Sequence, residues 1–386
     1  MPKLIRITTV PMALHVLLKG QMRYMKEKGF DVIMVSADGR ERDAVLADEQ
    51  CPHVIIPMTR QITPFRDLVA LWRLIRFFRK HKPDIIHSHT PKAGLLAMMA
   101  GKLAGVEIRI HTVAGLRFMT MAGFKRKLLV QMEKITGRFA THVWPNSFSL
   151  ETYIREHQLV SPKKLEVIGK GSSNGINLQR YSPAALNPGK LEAIKKQVGY
   201  DPQFTYLLCV GRIVKDKGID ELARAFARIH AKNPSVRLLL VGDFEDELDP
   251  VSEETRRMLK THPGIIMPGW SEDVAYFMPL AFALLHPSYR EGFPNVVLQA
   301  GAMGCPVICS AIEGNVDMVD HGQTGLLFEV RNEEALFQQV QFALAHPQEM
   351  KECARRLREK IEQYFDQQVV HHNIYTRYRQ LLPAAG

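Results

Sequence analysis

The segment Glu291-Gly-Phe-Pro-Asn-Val-Val-Leu-Gln-Ala-Gly-Ala-Met-Gly-Cys-Pro306 decides how the rest of this 386-residue chain is read. Pro294 fixes its own φ near helical values and lacks the N–H that a first helical turn leaves unpaired, so the segment predicts a helix opening at about Asn295. A helix N-terminus carries roughly half a positive charge and unpaired donors, which suits a phosphate or another anion beside Glu291. Ala300, Gly301, Ala302 and Gly304 leave the helix almost no side-chain thickness, so it can lie very close to a neighbouring sheet. Gly304-Cys305-Pro306 then ends it ahead of the strand Val307-Ile308-Cys309.

Working outward, the second half alternates β-rich runs at 206–210, 236–241, 265–268, 283–286, 307–310 and 325–328 with helical patterns at 218–231, 253–261, 273–278, 295–303, 315–320 and 333–345. The first half repeats the rhythm, with strands at 4–10, 31–36, 54–57, 84–88, 108–112 and 142–145 and helices at 16–28, 67–80, 93–104 and 126–137. The fold class is therefore α/β, with two doubly wound parallel sheets of Rossmann-like type. Pro- and Gly-rich turns place the join near 183–202, giving a first domain over 1–182, a linker, a second domain over 203–366 and a terminal helix within 367–386. In such sheets ligands sit outside the carboxyl ends of the strands, so function is sought in the loops that follow them.

After the first strand of the second half comes Gly211-Arg212-Ile213-Val214-Lys215-Asp216-Lys217-Gly218. Gly211 lets the backbone approach a ligand, and Arg212 and Lys217 set two positive charges at a strand end, where they suit a diphosphate. Together with the Glu291 segment, this loop resembles the signature of retaining glycosyltransferases of family 4, built on the GT-B fold of two such domains facing across a cleft. That resemblance implies a nucleotide-diphospho-sugar donor, with Arg212 and Lys217 on its diphosphate. It places Glu291 on the sugar, and Gly292, Phe293, Pro294, Asn295 and Val296 around the donor. At the family's second Glu this chain has Gln299, whose amide can still bond ribose hydroxyls. Gly269 and Trp270 stand where the family contacts the base through its main chain, with packing the alternative for Trp270. The terminal helix is expected to cross back onto the first domain.

Four first-half segments bear on the acceptor side. His111-Thr112-Val113-Ala114-Gly115-Leu116-Arg117-Phe118 ends a strand. Family members often carry a histidine at the place of Ala114, so His111 either serves the sugar in its stead or is a core histidine. Gly169-Lys170-Gly171-Ser172-Ser173-Asn174-Gly175-Ile176-Asn177 resembles a cleft-lining segment of polysaccharide-assembling members, which implies a place in the site for Gly171, Ser172, Ser173 and Asn174, with a hinge turn the alternative; Arg117 is a further acceptor-side candidate. His87-Ser88-His89 has metal-ligand spacing but no third ligand; the helix start with Lys92 suits an acceptor phosphate better. In 65–82, Leu68, Leu71, Trp72, Ile75 and Phe78 form one stripe, the pattern of a surface helix packed on its sheet.

Composition narrows the partners. Residues 1–182 hold 29 Lys+Arg against 14 Asp+Glu, a net of +15, within a total of +11, so the remainder is mildly acidic. A basic half calls for an anionic partner, and with no nucleic-acid-binding motif and few aromatics interleaved among the charges nucleic acid ranks below a membrane surface or a diphosphate. Phe118, Met119, Met121 and Phe124 followed by Lys125-Arg126-Lys127 suit shallow membrane docking. Five scattered cysteines form neither a disulfide framework nor a zinc pattern. The acidic run Asp243-Phe244-Glu245-Asp246-Glu247-Leu248-Asp249 reads as a solvated loop rather than a metal site, and no metal or other cofactor is expected. The N-terminus enters a strand with no signal-peptide core, which points to the cytoplasm. The resemblance implies transfer from a UDP-sugar to a polyprenyl-diphosphate-linked acceptor in bacterial capsule, exopolysaccharide or O-antigen assembly, on the cytoplasmic face of the inner membrane. A nucleotide-sugar epimerase and a binding-only relative remain alternatives.

Overall fold

Apolar strand runs that are buried on both faces need helices on each side, and the chain supplies them twice. The computed structural model describes residues 1–245 and 249–383, apart from the side chain of Arg117. One unit is Met1–Gly175 together with the chain from Gln367 on, and the other is Ile176–Asp366.

In the first unit β1 (Lys3–Ile7), β2 (Asp31–Ser36), β3 (His53–Ile55), β4 (Ile85–Ser88), β5 (Ile108–Val113) and β6 (His142–Pro145) form a parallel sheet in the order β3-β2-β1-β4-β5-β6. In the second unit β7 (Thr205–Val210), β8 (Val236–Val241), β9 (Ile265–Gly269), β10 (Ala283–His286), β11 (Val307–Ser310) and β12 (Leu326–Phe328) give β12-β11-β10-β7-β8-β9. Read from its other edge, the second order repeats the first. In each sheet the winding reverses between the first strand and the fourth, where diverging loops open a crevice for a ligand. Those loops are 8–10 and 89–92 in the first unit, 211–218 and 287–294 in the second.

Alternation along the strands builds a core on each face. In β1, Ile5 and Ile7 pack with Val35 and Ile86, while Leu4 packs with Met34, Ile85 and Ile110 on the opposite face. That second face is completed by Val370, Ile374 and Tyr378 of the terminal helix Gln367–Leu381, which is why the chain returns to this unit.

Several expectations need correction. The division falls at Gly175/Ile176 rather than after Ser182, because Ile176, Ile194 and Val198 belong to the second unit's core and Ile176 N donates to Phe365 O. The turns of 183–202 are surface features of that unit. The single helix expected over 16–28 is two, Pro11–Leu17 and Gln21–Glu27, separated by Gly20 at φ +81°. Helix Pro64–His81 buries Ala70, Leu74 and Phe78 and leaves Leu68 and Trp72 exposed, so its apolar stripe faces two ways. The thin helix, Asn295–Ala302, turns Gly301 toward helix Pro347–Tyr364 as well as lying on the sheet. A Cβ on Gly301 would fall 2.3 Å from Ile361 Cδ1.

Candidate active site

At the switch point of the second sheet the loops after β7 and β10 touch. Gly218 allows it: φ is +68°, and a Cβ there would stand 2.1 Å from the carbonyl oxygen of Pro287. Its neighbour Lys217 reaches across to form an ion pair with Glu291 through Oε1. Ser288 donates its hydroxyl to the same oxygen at 2.8 Å, and His286 Nε2 stands 3.3 Å from it without an aligned hydrogen bond. Among the described residues, none of these contacts falls on Oε2. Burial alone would raise the Glu291 pKa, but the Lys217 ammonium, with His286 behind it, holds the carboxyl well below the usual carboxylate range. Glu291 is thus an anion with one oxygen fixed and the other placed to accept from a hydroxyl. Three residues on, helix Asn295–Ala302 opens behind Pro294 with no side chain capping it. An ammonium and free helix-end N–H groups beside a carboxylate suit a ligand that joins a phosphate to a polyol.

The other second-unit residues divide. Gly211 borders the loop, but Arg212 is turned onto Glu245 at 2.7 Å and makes no contact with Glu291. The acidic run ties loops together: Asp243 Oδ1 accepts from Trp270 N at 3.2 Å, and Asp249 Oδ2 accepts from Asp216 N at 2.7 Å. Its residues 246–248 lie outside the described residues. Trp270, after Gly269 at φ +85°, is 64% exposed, so packing does not account for it. Phe293 does pack, against Phe365 with ring centroids 5.1 Å apart, which leaves only its main chain for a ligand. Gly292 and Pro294 are buried, Asn295 is exposed and Val296 half-buried at the helix start. Gln299 Nε2 donates to Tyr181 OH at 3.0 Å, so a ribose would share that amide with the tyrosine. His286 and Ser288 were not read from sequence; two polar residues closing the apolar run 283–285 were the signal.

Comparison with known proteins decides the family. Residues 205–346 match the model described as glycosyl transferases group 1, and residues 15–171 match the glycosyl transferase 4-like domain. The capsular polysaccharide biosynthesis glycosyltransferase CapM of Staphylococcus aureus is 34% identical over 98% of this chain and 97% of its own length. This chain is a family 4 glycosyltransferase. Also similar is the Escherichia coli UDP-Gal:alpha-D-GlcNAc-diphosphoundecaprenol alpha-1,3-galactosyltransferase, 28% identical over 81% of this chain and 79% of that one. Among solved structures, Anabaena HepE in complex with UDP superposes with a TM-score of 0.80 at 18% identity, over 98% of this chain and all of that one, and the fold is GT-B.

In the first unit of this glycosyltransferase most polar candidates are already engaged. His111 is 3% exposed: Nδ1 meets Ser88 Oγ at 2.9 Å, Nε2 lies 4.0 Å from Glu133, and the ring fills the place a Cβ on Gly94 would take. Burial pushes its pKa down to about 4. It is a core histidine, and the reading that set it on the sugar is corrected. His87 and His89 join Gln21 and Tyr378 around the fully buried guanidinium of Arg6, with His89 Nε2 at 2.6 Å from it. Burial, with Arg6 adding to it, holds both rings neutral. Lys92, expected to meet an acceptor phosphate, pairs with Asp67 at 2.7 Å instead. Gly171 is at φ +98°, Ser172 accepts from Gly175 N at 2.9 Å, Ser173 O accepts from Gln21 Nε2, and Asn174 Oδ1 meets His371 Nε2 at 2.7 Å. These contacts bind the segment to its own unit's helices. The side chain of Arg117 lies outside the described residues. Sequence reasoning missed Glu133, although it is the one acidic residue between Glu107 and Glu151.

Proposed function

We propose that this enzyme transfers a sugar, with retention of configuration and without a metal ion, from a UDP-sugar to a polyprenyl-diphosphate-linked saccharide in the assembly of a bacterial surface polysaccharide. The observation that carries the reading is the Lys217–Glu291 pair beside the uncapped start of helix Asn295–Ala302. Departure of the sugar leaves negative charge on the diphosphate, and fixed positive charge at that point lowers the barrier. Lys217 and the helix end supply it in place of a cation, while Asp243, Glu245 and Asp249 are spent on loop contacts. Support for the donor and acceptor classes comes from the relatives: HepE is solved with UDP, and the Escherichia coli protein is named for UDP-Gal and a diphosphoundecaprenol-linked sugar. A Campylobacter jejuni relative, 26% identical over 73% of this chain, is likewise named for a diphospho-undecaprenol substrate. No described helix is long and apolar enough to cross a membrane, and we place the enzyme peripherally on the cytoplasmic face.

The test is a panel of UDP- and GDP-sugars screened for thermal stabilisation, followed by transfer from the best ligand to a synthetic prenyl-diphosphate saccharide, with and without EDTA. A saturating ligand at 100 times its Kd adds about 2.7 kcal/mol to stability, a shift easily read. The reading expects one UDP-sugar to stand out and transfer to survive chelation with the anomeric configuration kept. Loss of activity in EDTA that Mn²⁺ restores, an inverted product, or conversion of the donor with no acceptor present would each overturn it.

A further inference from the structure

The first unit has a cavity of about 380 Å³ at its own switch point, between the loops that follow β1 and β4. Its walls are apolar: Ala13, Leu17, Leu116, Phe118, Leu129 and Met132. Phe118, read from sequence as part of a membrane-docking segment, and Leu116 beside it are turned inward onto it. The polar groups along it are largely engaged with each other. Thr9 and Thr90 share a hydrogen bond at 2.7 Å, Lys92 is held by Asp67, and Thr136 donates to Met132 O at 2.9 Å. Among the described residues Glu133 has one ion-pair partner, His111 at 4.0 Å, and burial pushes its carboxyl up to about 7. A sugar would bring several hydroxyls that this wall cannot satisfy, whereas a hydrocarbon asks for no partners. At the mouth Met12, Val16 and Ile62 are exposed, and just beyond Ile62 the helix Pro64–His81 starts with Phe65 exposed. Arg60 stands at the same mouth, placed for an anion.

We propose that this pocket takes the hydrocarbon chain of the lipid-linked acceptor next to its phosphate, with Arg60 at the phosphate and the first isoprene units between helices Pro11–Leu17 and Gly123–Phe139. The assignment rests on the lipid-linked acceptor argued above. Its size falls within the range of ligand pockets, and its place at the strand ends of the first sheet is where an α/β unit binds ligands.

The test reads binding alone, with no nucleotide-sugar present, so its failure and a failure of glycosyl transfer are told apart. Equilibrium dialysis with radiolabelled farnesyl phosphate, below its micelle concentration, is run on the intact chain. One molecule is expected to bind per chain, with inorganic phosphate a poor competitor. Ala13→Leu and Leu129→Phe, which fill the pocket, are each expected to weaken binding at least tenfold, with melting temperature followed to verify folding. Met132→Ala, which enlarges the pocket, keeps the proposal testable where a filled variant does not fold, and is expected to retain binding. Phe65→Ser and Trp72→Ser, outside the pocket, are expected to leave it unchanged. No saturable binding, filled and folded variants that bind like wild type, or loss of binding in the Phe65 and Trp72 variants would overturn the proposal.

Discussion

Glu291 meets Lys217, Ser288 and His286 through one carboxylate oxygen, which fixes the other in position before any donor arrives. Glu291→Gln and Lys217→Ala are each expected to cost about 2–4 kcal/mol in kcat/KM, as losing a preorganised charge does. The same is expected of Arg212→Ala despite its contact with Glu245. Both partners of that pair are about two-fifths exposed, and an exposed pair is worth at most about 1 kcal/mol, so a diphosphate is expected to displace the carboxylate. Steady-state rates within threefold of wild type for any of the three would refute its role. At this scale the sequence disclosed the charged residues of the loops after β7 and β10 and little else. Arg212, Lys217 and Glu291 stand at strand ends in a pattern, whereas whether His111 or Lys92 is free depends on Glu133 and Asp67, distant partners that no local pattern names. The His111–Glu133 pair gives a second prediction. Burial raises the carboxyl from 4.5 to about 7, so stability falls as pH rises through that interval; it lowers the imidazole from 6.5 to about 4, so stability is lost as pH falls below 6.5. Between 4.5 and 6.5 the two slopes oppose, each drawing on about 2–3 kcal/mol. Glu133→Gln is expected to be more stable than wild type at pH 8 and to uncover the histidine's slope below 6.5. Urea midpoints that keep the wild-type pH dependence would contradict this.

Among the elements, the contact of the loops after β7 and β10 depends on one glycine. Gly218→Ala puts a methyl group 2.1 Å from a backbone oxygen that has no rotamer to yield, at a φ that alanine resists. The expected cost is on the order of 3 kcal/mol, read as a lower denaturation midpoint at unchanged m-value, with UDP-sugar binding lost alongside because Lys217 and Glu291 part. A variant destabilised but still binding donor would show that the loops are held by something else. All twelve strands start within one residue of where the hydrophobic runs put them, since strands buried on both faces announce themselves by composition. Helices were harder. Pro347–Tyr364 is hidden in the sequence because His346-Pro347 follows another helix directly and Pro reads as a stop, yet here it opens a first turn. In Pro64–His81 the spacing predicts the helix but not its facing, because spacing gives a stripe without saying which neighbour covers it.

For the whole molecule, the uneven charge acquires a surface. The first 182 residues carry a net of +15, and on helix Pro64–His81 the exposed Phe65, Leu68, Val69 and Trp72 alternate with exposed Arg66, Arg73 and Arg76. Met121 and Phe124 are exposed before Lys125, Arg126 and Lys127, although Leu116 and Phe118 of the same stretch are not. Large apolar side chains standing in water among cations are costly to keep unless something covers them, and an anionic bilayer satisfies both. Each Lys or Arg near such a surface contributes about 1 kcal/mol, and each inserted aromatic or aliphatic side chain adds about 1.5–3 kcal/mol when fully buried, enough for reversible docking without a spanning helix. Co-sedimentation is therefore expected with liposomes containing anionic lipid and not with neutral ones, and is expected to weaken as the Debye length falls from about 10 Å at 0.1 M salt to 3 Å at 1 M. Changing Lys125, Arg126 and Lys127 to Ser removes part of the charge; changing Phe65, Trp72 and Phe124 to Ser removes the anchors. Both variants are expected to bind anionic liposomes less, the first with a shallower salt dependence and the second with the slope kept. Equal binding to neutral and anionic liposomes, or full binding by both variants, would leave the basic surface to the acceptor's diphosphate alone.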